Sequence, residues 1–156
     1  FLDVHLMVND PMSQIKFFAE AGADLISFHL ESNSSAVQTL ELIRSFGVKS
    51  ALAIKPGTAA EEVYPLLSLC DMVLVMTVEP GYGGQTFIPE TLEKIRQLRE
   101  YAGGDLDIEV DGGINANTAP LVKEAGANVL VAGTGLFKAE DMAQANAALK
   151  APQKGA

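Results

Sequence analysis

Six short runs of β-forming residues alternate with six longer amphipathic segments, and this alternation constrains the fold more than any other feature of the chain. The strand candidates are residues 2–8, 25–30, 50–54, 72–78, 107–110 and 129–132. The helix candidates are 12–21, 36–46, 60–69, 89–101, 118–125 and 141–149. Gly22, Gly47, Gly103 and Gly126 follow four of these helices, where a left-handed residue commonly ends the last turn. Pro11 and Pro89 stand where a first helical turn tolerates a missing N–H. Ala21-Gly22-Ala23-Asp24 and Ala125-Gly126-Ala127-Asn128 carry helix into strand with nearly the same phrase, a weak repeat of the βα unit. Strands separated by helices pair in parallel, which leaves an open doubly wound sheet or a (β/α)8 barrel. No Gly-x-Gly-x-x-Gly follows the first strand, so a dinucleotide-binding sheet loses ground.

Parity separates the two architectures. Residues two apart on a strand share a face. Asp3, His5 and Met7 lie opposite Leu2, Val4, Leu6 and Val8; Ser27, His29 and Glu31 lie opposite Ile26, Phe28 and Leu30. Lys55 is in phase with Ala51 and Ala53, and Asp107, Glu109 and Asp111 are in phase on the fifth strand. Each of these strands has an apolar face for helices to cover and a face that turns polar toward its C-terminal end. An open sheet covered on both sides would bury those groups to no purpose. In a barrel they converge on the mouth where such folds keep their active sites. An internal network of Lys55 with Glu31, Glu109 and Asp111 is the structural alternative.

The chain has 156 residues and a net charge of −9, which argues against broad electrostatic binding to nucleic acid or an anionic membrane. Trp is absent and aromatics are 6%, too few for a base-stacking platform. No apolar run approaches the roughly 20 residues of a membrane span. The single cysteine, Cys70, fits a reducing compartment. The first residues read as the inside of a strand, without initiator Met or polar leader, so the expectation is that sequence upstream is missing.

His5 and Asp111 end inward-facing strands and have the donor chemistry of divalent-metal ligands, although a lone His beside Met7 is as readily a packed core residue. His29, beside Ser27 and Glu31, reads as structural. Asp111-Gly112-Gly113-Ile114-Asn115 and Gly133-Thr134-Gly135 place glycine turns after two successive strands, the pattern of a barrel phosphate site. Each alone is an ordinary βα turn. Residues 79–87, with Gly81, Tyr82, Gly83 and Gly84, form a loop longer than a βα connection needs, suited to covering a ligand. Met7 and Met76 lie near strand ends, as core filling or as pocket lining.

These stretches resemble the ribulose-phosphate 3-epimerase family: Leu2-Asp3-Val4-His5-Leu6-Met7-Val8, Phe28-His29-Leu30-Glu31, Ile54-Lys55-Pro56-Gly57-Thr58, Val75 through Gln85, and Ile108-Glu109-Val110-Asp111-Gly112-Gly113. The resemblance runs to about Phe137. It implies an isomerase of carbohydrate metabolism, in the pentose phosphate pathway, that interconverts D-ribulose 5-phosphate and D-xylulose 5-phosphate by proton transfer at C3. His5 and Asp111 would be two of four protein ligands to one divalent metal (Zn, Fe, Co or Mn), and Asp111 one of two acid–base carboxylates. His5 and residues 81–84 and 111–113 would contact substrate, with Gly133 and Thr134 at its phosphate and Met7 and Met76 capping the reacting carbons. Family members are often oligomeric, so a homo-oligomer is expected. The cytoplasm is the expected location, or a plastid if a transit peptide precedes the chain.

The family's first two βα units would supply the remaining ligands and the second carboxylate. With about 26 residues per unit, eight units need roughly 208 residues. Residues 1–156 therefore read as one domain comprising units 3 to 8 of an incomplete barrel, with 150–156 as a C-terminal tail, and the chain alone is expected to be inactive or nearly so. An epimerase of allulose 6-phosphate, or an inactive barrel that only binds sugar phosphate, are the alternatives.

Overall fold

In the computed structural model, which describes residues 1–151, six strands form one parallel sheet in strictly sequential order, β1 to β6. They are β1 (Asp3–Leu6), β2 (Leu25–His29), β3 (Lys49–Ile54), β4 (Met72–Met76), β5 (Asp107–Asp111) and β6 (Val129–Val131). The helices are α1 (Met12–Glu20), α2 (Ala36–Ser45), α3 (Thr91–Ala102), α4 (Ala119–Ala125), α5 (Thr134–Phe137) and α6 (Met142–Lys150). A doubly wound sheet reverses its strand order at a switch point; this one does not.

All six expected strands are present, most of them a residue or more shorter at an end. The expected helix at 60–69 is instead two 3-10 segments, Ala60–Glu62 and Tyr64–Leu69, because Pro65 removes an N–H in the middle of the run. The short α5 follows Gly133 and was not expected as a helix. Of the tail expected at 150–156, Lys150 is the last residue of α6 and 152–156 lie outside the described residues.

The strand faces divide as parity requires. Ile26, Phe28, Leu52, Ile54, Val73, Val75, Ile108 and Val110 pack outward with Ile15, Leu40, Ile43, Ile95, Leu98 and Val122 of the helices, forming the main core. The inner face carries Ala51, Ala53, Leu74 and Met76 together with polar groups. The sheet curls strongly, since the carboxyl of Asp3 on β1 adjoins that of Glu109 on β5, four strands away. This is a half-barrel, open between β1 and β6.

At the N-terminal ends of the strands, alternate seams are pinned by one device. The residue just before the second strand of a pair reaches across to a backbone N–H on the first. Asp24 accepts from Leu2 N at 2.6 Å, Asp71 from Ser50 N at 2.9 Å, and Asn128 from Ile108 N at 2.7 Å. Two of these residues close the repeated Ala-Gly-Ala phrases, which gives that repeat its physical purpose.

Two outcomes follow from this packing. Asn128→Ala leaves the buried Ile108 N–H unsatisfied and is expected to cost about 1–3 kcal/mol. Asp24→Ala, on a solvent-exposed seam, should cost under about 1 kcal/mol, and urea midpoints measure both. Glu109 is only 3% exposed, and burial, with Asp3 and Asp111 nearby, pushes its carboxyl up to about 8 from 4.5. The folded state thus keeps a proton that the unfolded chain has released, so stability should fall as pH rises from 6.5 to 8. The slope is steepest, about 1.4 kcal/mol per pH unit, near the bottom of that window and falls to about half of that at pH 8. Glu109→Gln should flatten it.

Candidate active site

The C-terminal ends of the strands open into a cavity of about 370 Å³. Met7, Met76, Gly81, Tyr82, Gly83, Gly84, Asp111, Gly112, Gly113, Gly133 and Thr134 all line it. Of the residues that the resemblance assigned to the site, His5 is the one outside the lining.

The glycine turn after β5 is built for close backbone approach. Gly112 and Gly113 have φ of +124° and +66°, and a Cβ on either would meet Val78 at 2.5 Å or the Phe87 backbone at 2.7 Å. Their carbonyl oxygens are tied by side chains: Thr77 Oγ1 donates to Gly112 O at 2.6 Å, and Thr118 Oγ1 and Asn115 Nδ2 donate to Gly113 O at 2.9 and 3.1 Å. The N–H groups of Gly112, Gly113 and Gly133 donate to no backbone carbonyl among the described residues. Carbonyls held by side chains and N–H groups left unpaired make a cradle for an anion.

Thr77, fully buried, braces the site and was not singled out from the sequence. Its N–H donates to Asp111 O at 2.8 Å and its carbonyl accepts from Ile88 N at 2.9 Å. One residue therefore joins β4, the base of the glycine loop and the turn after Asp111. A hydroxyl inside the apolar run Val75-Met76-Thr77-Val78 was the available signal.

His5 sits deeper. Its Nδ1 is 3.0 Å from Ser27 Oγ, its ring centroid is 4.9 Å from that of His29, and its Nε2 is buried without a partner. Burial and the neighbouring His29 hold its pKa down at about 4, so the ring is neutral near pH 7. A neutral imidazole with one nitrogen anchored and the other unpaired is what a metal-ligating histidine presents. Asp111, raised above the usual carboxylate range by burial, adds an oxygen donor. No group of three or more His, Cys, Asp or Glu side chains among the described residues is arranged to hold a metal. The donor chemistry of His5 Nε2 and the Asp111 carboxylate fits a divalent metal.

The alternative network of Lys55 with the inner carboxylates does not form. Lys55 is exposed, and it is its backbone N–H that donates to Glu31 Oε1, at 2.9 Å. Thr58 Oγ1 donates to the same oxygen, while Glu31 Oε2 lies 3.2 Å from His29 Nδ1, the structural role expected for that histidine. Burial alone would raise the Glu31 pKa, but these donors outweigh it and bring it to about 2. The buried cation is Lys94 of α3, 8% exposed, whose Nζ donates to Lys55 O at 2.7 Å and Pro56 O at 2.9 Å. Sequence reasoning passed over Lys94 because a lysine on a helix ordinarily faces water.

Solved structures share this fold. 3-Hexulose-6-phosphate synthase from Salmonella typhimurium superposes with a TM-score of 0.71 at 20% identity, over 94% of this chain and 70% of that one. At the level of sequence, a ribulose-phosphate 3-epimerase of Eremothecium gossypii is 46% identical over 90% of this chain, and one of Synechocystis is 46% identical over 96%. The chain spans 59% and 67% of the length of these two relatives. The sequence profile of the ribulose-phosphate 3 epimerase family matches residues 1–137, and the chain belongs to that family.

Proposed function

We propose that this chain provides the phosphate cradle, the covering loop and one acid–base group of an enzyme interconverting D-ribulose 5-phosphate and D-xylulose 5-phosphate. The observation that carries the reading is that Asp111 and the glycine turns at 112–113 and 133 line one cavity. A carboxyl group and an anion cradle then share a space sized for a short sugar phosphate. The names of the relatives support the same substrate class.

The chemistry follows from the groups present. The C3–H of a 2-ketose is weakly acidic because the adjacent carbonyl can accept the electrons. Asp111 takes or returns that proton on one face, and burial, by raising its pKa, makes the carboxylate a better base. Phosphate bound at Gly112, Gly113 and Gly133 fixes the sugar so that C3 meets Asp111. Met7 and Met76 line the cavity without offering a competing proton, and the glycine loop limits access of water. His5 and Asp111 would hold the divalent metal (Zn, Fe, Co or Mn). When bound, the metal supplies positive charge that offsets the negative charge developing on the substrate oxygens.

Inversion needs a second carboxyl on the opposite face, and a full metal shell needs further donors. We assign both to the two βα units that would close the barrel between β1 and β6, making this chain units 3 to 8. The open sheet edges and the greater length of the relatives favour that assignment. Among the described residues no helix is long and apolar enough to cross a membrane.

The test is exchange of the C3 proton of D-ribulose 5-phosphate with solvent deuterium. The chain alone should bind the sugar phosphate with little exchange. Joined to the part of a relative that it does not match, it should exchange C3 in a metal-dependent way, faster than it does with allulose 6-phosphate. Full exchange in a chelated preparation would overturn the mechanism, and binding without exchange in the joined protein would favour an inactive binding barrel.

Gly112→Ala should cost about 1–3 kcal/mol through backbone strain and abolish phosphate binding. Asp111→Asn in the joined protein should keep phosphate affinity within about twofold and lower exchange at least about 100-fold. Calorimetric titration and the exchange rate read the two effects separately.

A further inference from the structure

The loop from Thr77 to Ile88 is closed at its base by the Ile88 N–H to Thr77 O bond. It packs there on the Gly112–Gly113 turn through Val78 and Phe87. Beyond that base, residues 79–87 make no other hydrogen bonds among the described residues than those of one side chain. Gln85 Nε2 donates to Glu79 O at 2.6 Å and to Tyr82 O at 2.9 Å. Both partners are carbonyl oxygens, so the amide nitrogen must be the atom that faces them.

We propose that Gln85 is a positioning residue that holds the glycine-rich rim in its ligand-ready shape before any ligand arrives, by bridging the Glu79 and Tyr82 carbonyls. The inference deepens the sugar-phosphate reading of the same cavity and rests on it for its ligand.

Two physical consequences make the bridge matter. Gly81 and Gly84, with φ of +143° and +81°, give the segment more accessible backbone conformations than other residues would. A segment so free must be ordered at the moment of binding unless something orders it beforehand. The bridge fixes the spacing between residues 79 and 82 and between 82 and 85, which spans the tip of the loop. It also occupies two carbonyl oxygens, the negative ends of peptide dipoles, in a loop whose residues line an anion-binding cavity. Gln85 thus acts through the rim backbone and not on the reacting atoms.

The experiment uses the 156-residue chain with Gln85→Leu and Gln85→Glu. The first removes both donors without adding charge. The second keeps the shape, loses both donors and sets a carboxylate against two carbonyls. Backbone 15N order parameters at Gly81, Gly83 and Gly84 should be near about 0.85 in the unsubstituted chain and fall below about 0.6 in both variants, with the thermal midpoint unchanged. Retention of rigid values in Gln85→Glu would show that packing, not donation, orders the loop, and would overturn the proposal.

Binding of D-ribulose 5-phosphate to Gln85→Leu should weaken about tenfold, while binding of inorganic phosphate, held at the glycine turns, should change less than about twofold. An equal loss for both probes would also overturn the proposal, because it would mark a general disturbance of the cradle. If the unsubstituted chain binds neither probe, the sugar-phosphate reading fails, and the order parameters still decide the role of Gln85.

Discussion

The structure depends on strands that are apolar on one side and small or polar on the other. Val, Ile, Leu and Phe on the outer face hold the helices, while Ala51 and Ala53 on the inner face leave room for the sheet to bend. The bend brings Asp3 of β1 to Glu109 of β5 and gathers the C-terminal strand ends of β1, β4, β5 and β6 around one cavity. A flat sheet with the same sequence would scatter those ends along an edge. The curvature makes the site, and period-two patterning makes the curvature.

Three desolvated ionisable groups are resolved differently by the fold. Glu31 stays ionised because His29, Thr58 and the Lys55 N–H all point at its carboxylate. Lys94 is held by two carbonyl oxygens at the turn after β3, which is thereby fixed from the helix side as Glu31 fixes it from the strand side. Glu109, with Asp3 close by, keeps its proton instead. Burial penalises charge in every case. The number of donors or acceptors aimed at each group decides whether the charge survives.

Much of this was legible in the sequence because it is carried by period and position. The strand parity placed Asp3, His5, Glu109 and Asp111 on the inner face, and the four glycines after helices do adopt positive φ. Glycine turns at 112–113 and 133 announced a backbone cradle, and the length of 79–87 announced a rim. Lys55 misled because a charged side chain in phase with buried alanines suggested an internal ion pair, whereas only its backbone N–H enters the network. Thr77 and Lys94 escaped because their value lies in carbonyl oxygens that tertiary folding brings to them from 35 and 39 residues away. The Pro65 interruption was readable, but an amphipathic run hid it.

The two halves of the chemistry differ in how locally they are encoded. An anion cradle needs only free N–H groups and tied-back carbonyls, which the glycine turns and their immediate neighbours Thr77, Asn115 and Thr118 provide. It is made within and between adjacent βα units. A metal shell needs several donors converging on a point, and each barrel strand delivers one or two residues to the mouth. Under the proposed function β1 would contribute His5 and β5 Asp111, and among the described residues no group of three or more such donors is arranged to hold a metal. On the proposed reading, phosphate recognition is the part that six units can hold by themselves, while proton transfer with inversion waits on closure of the ring of strands.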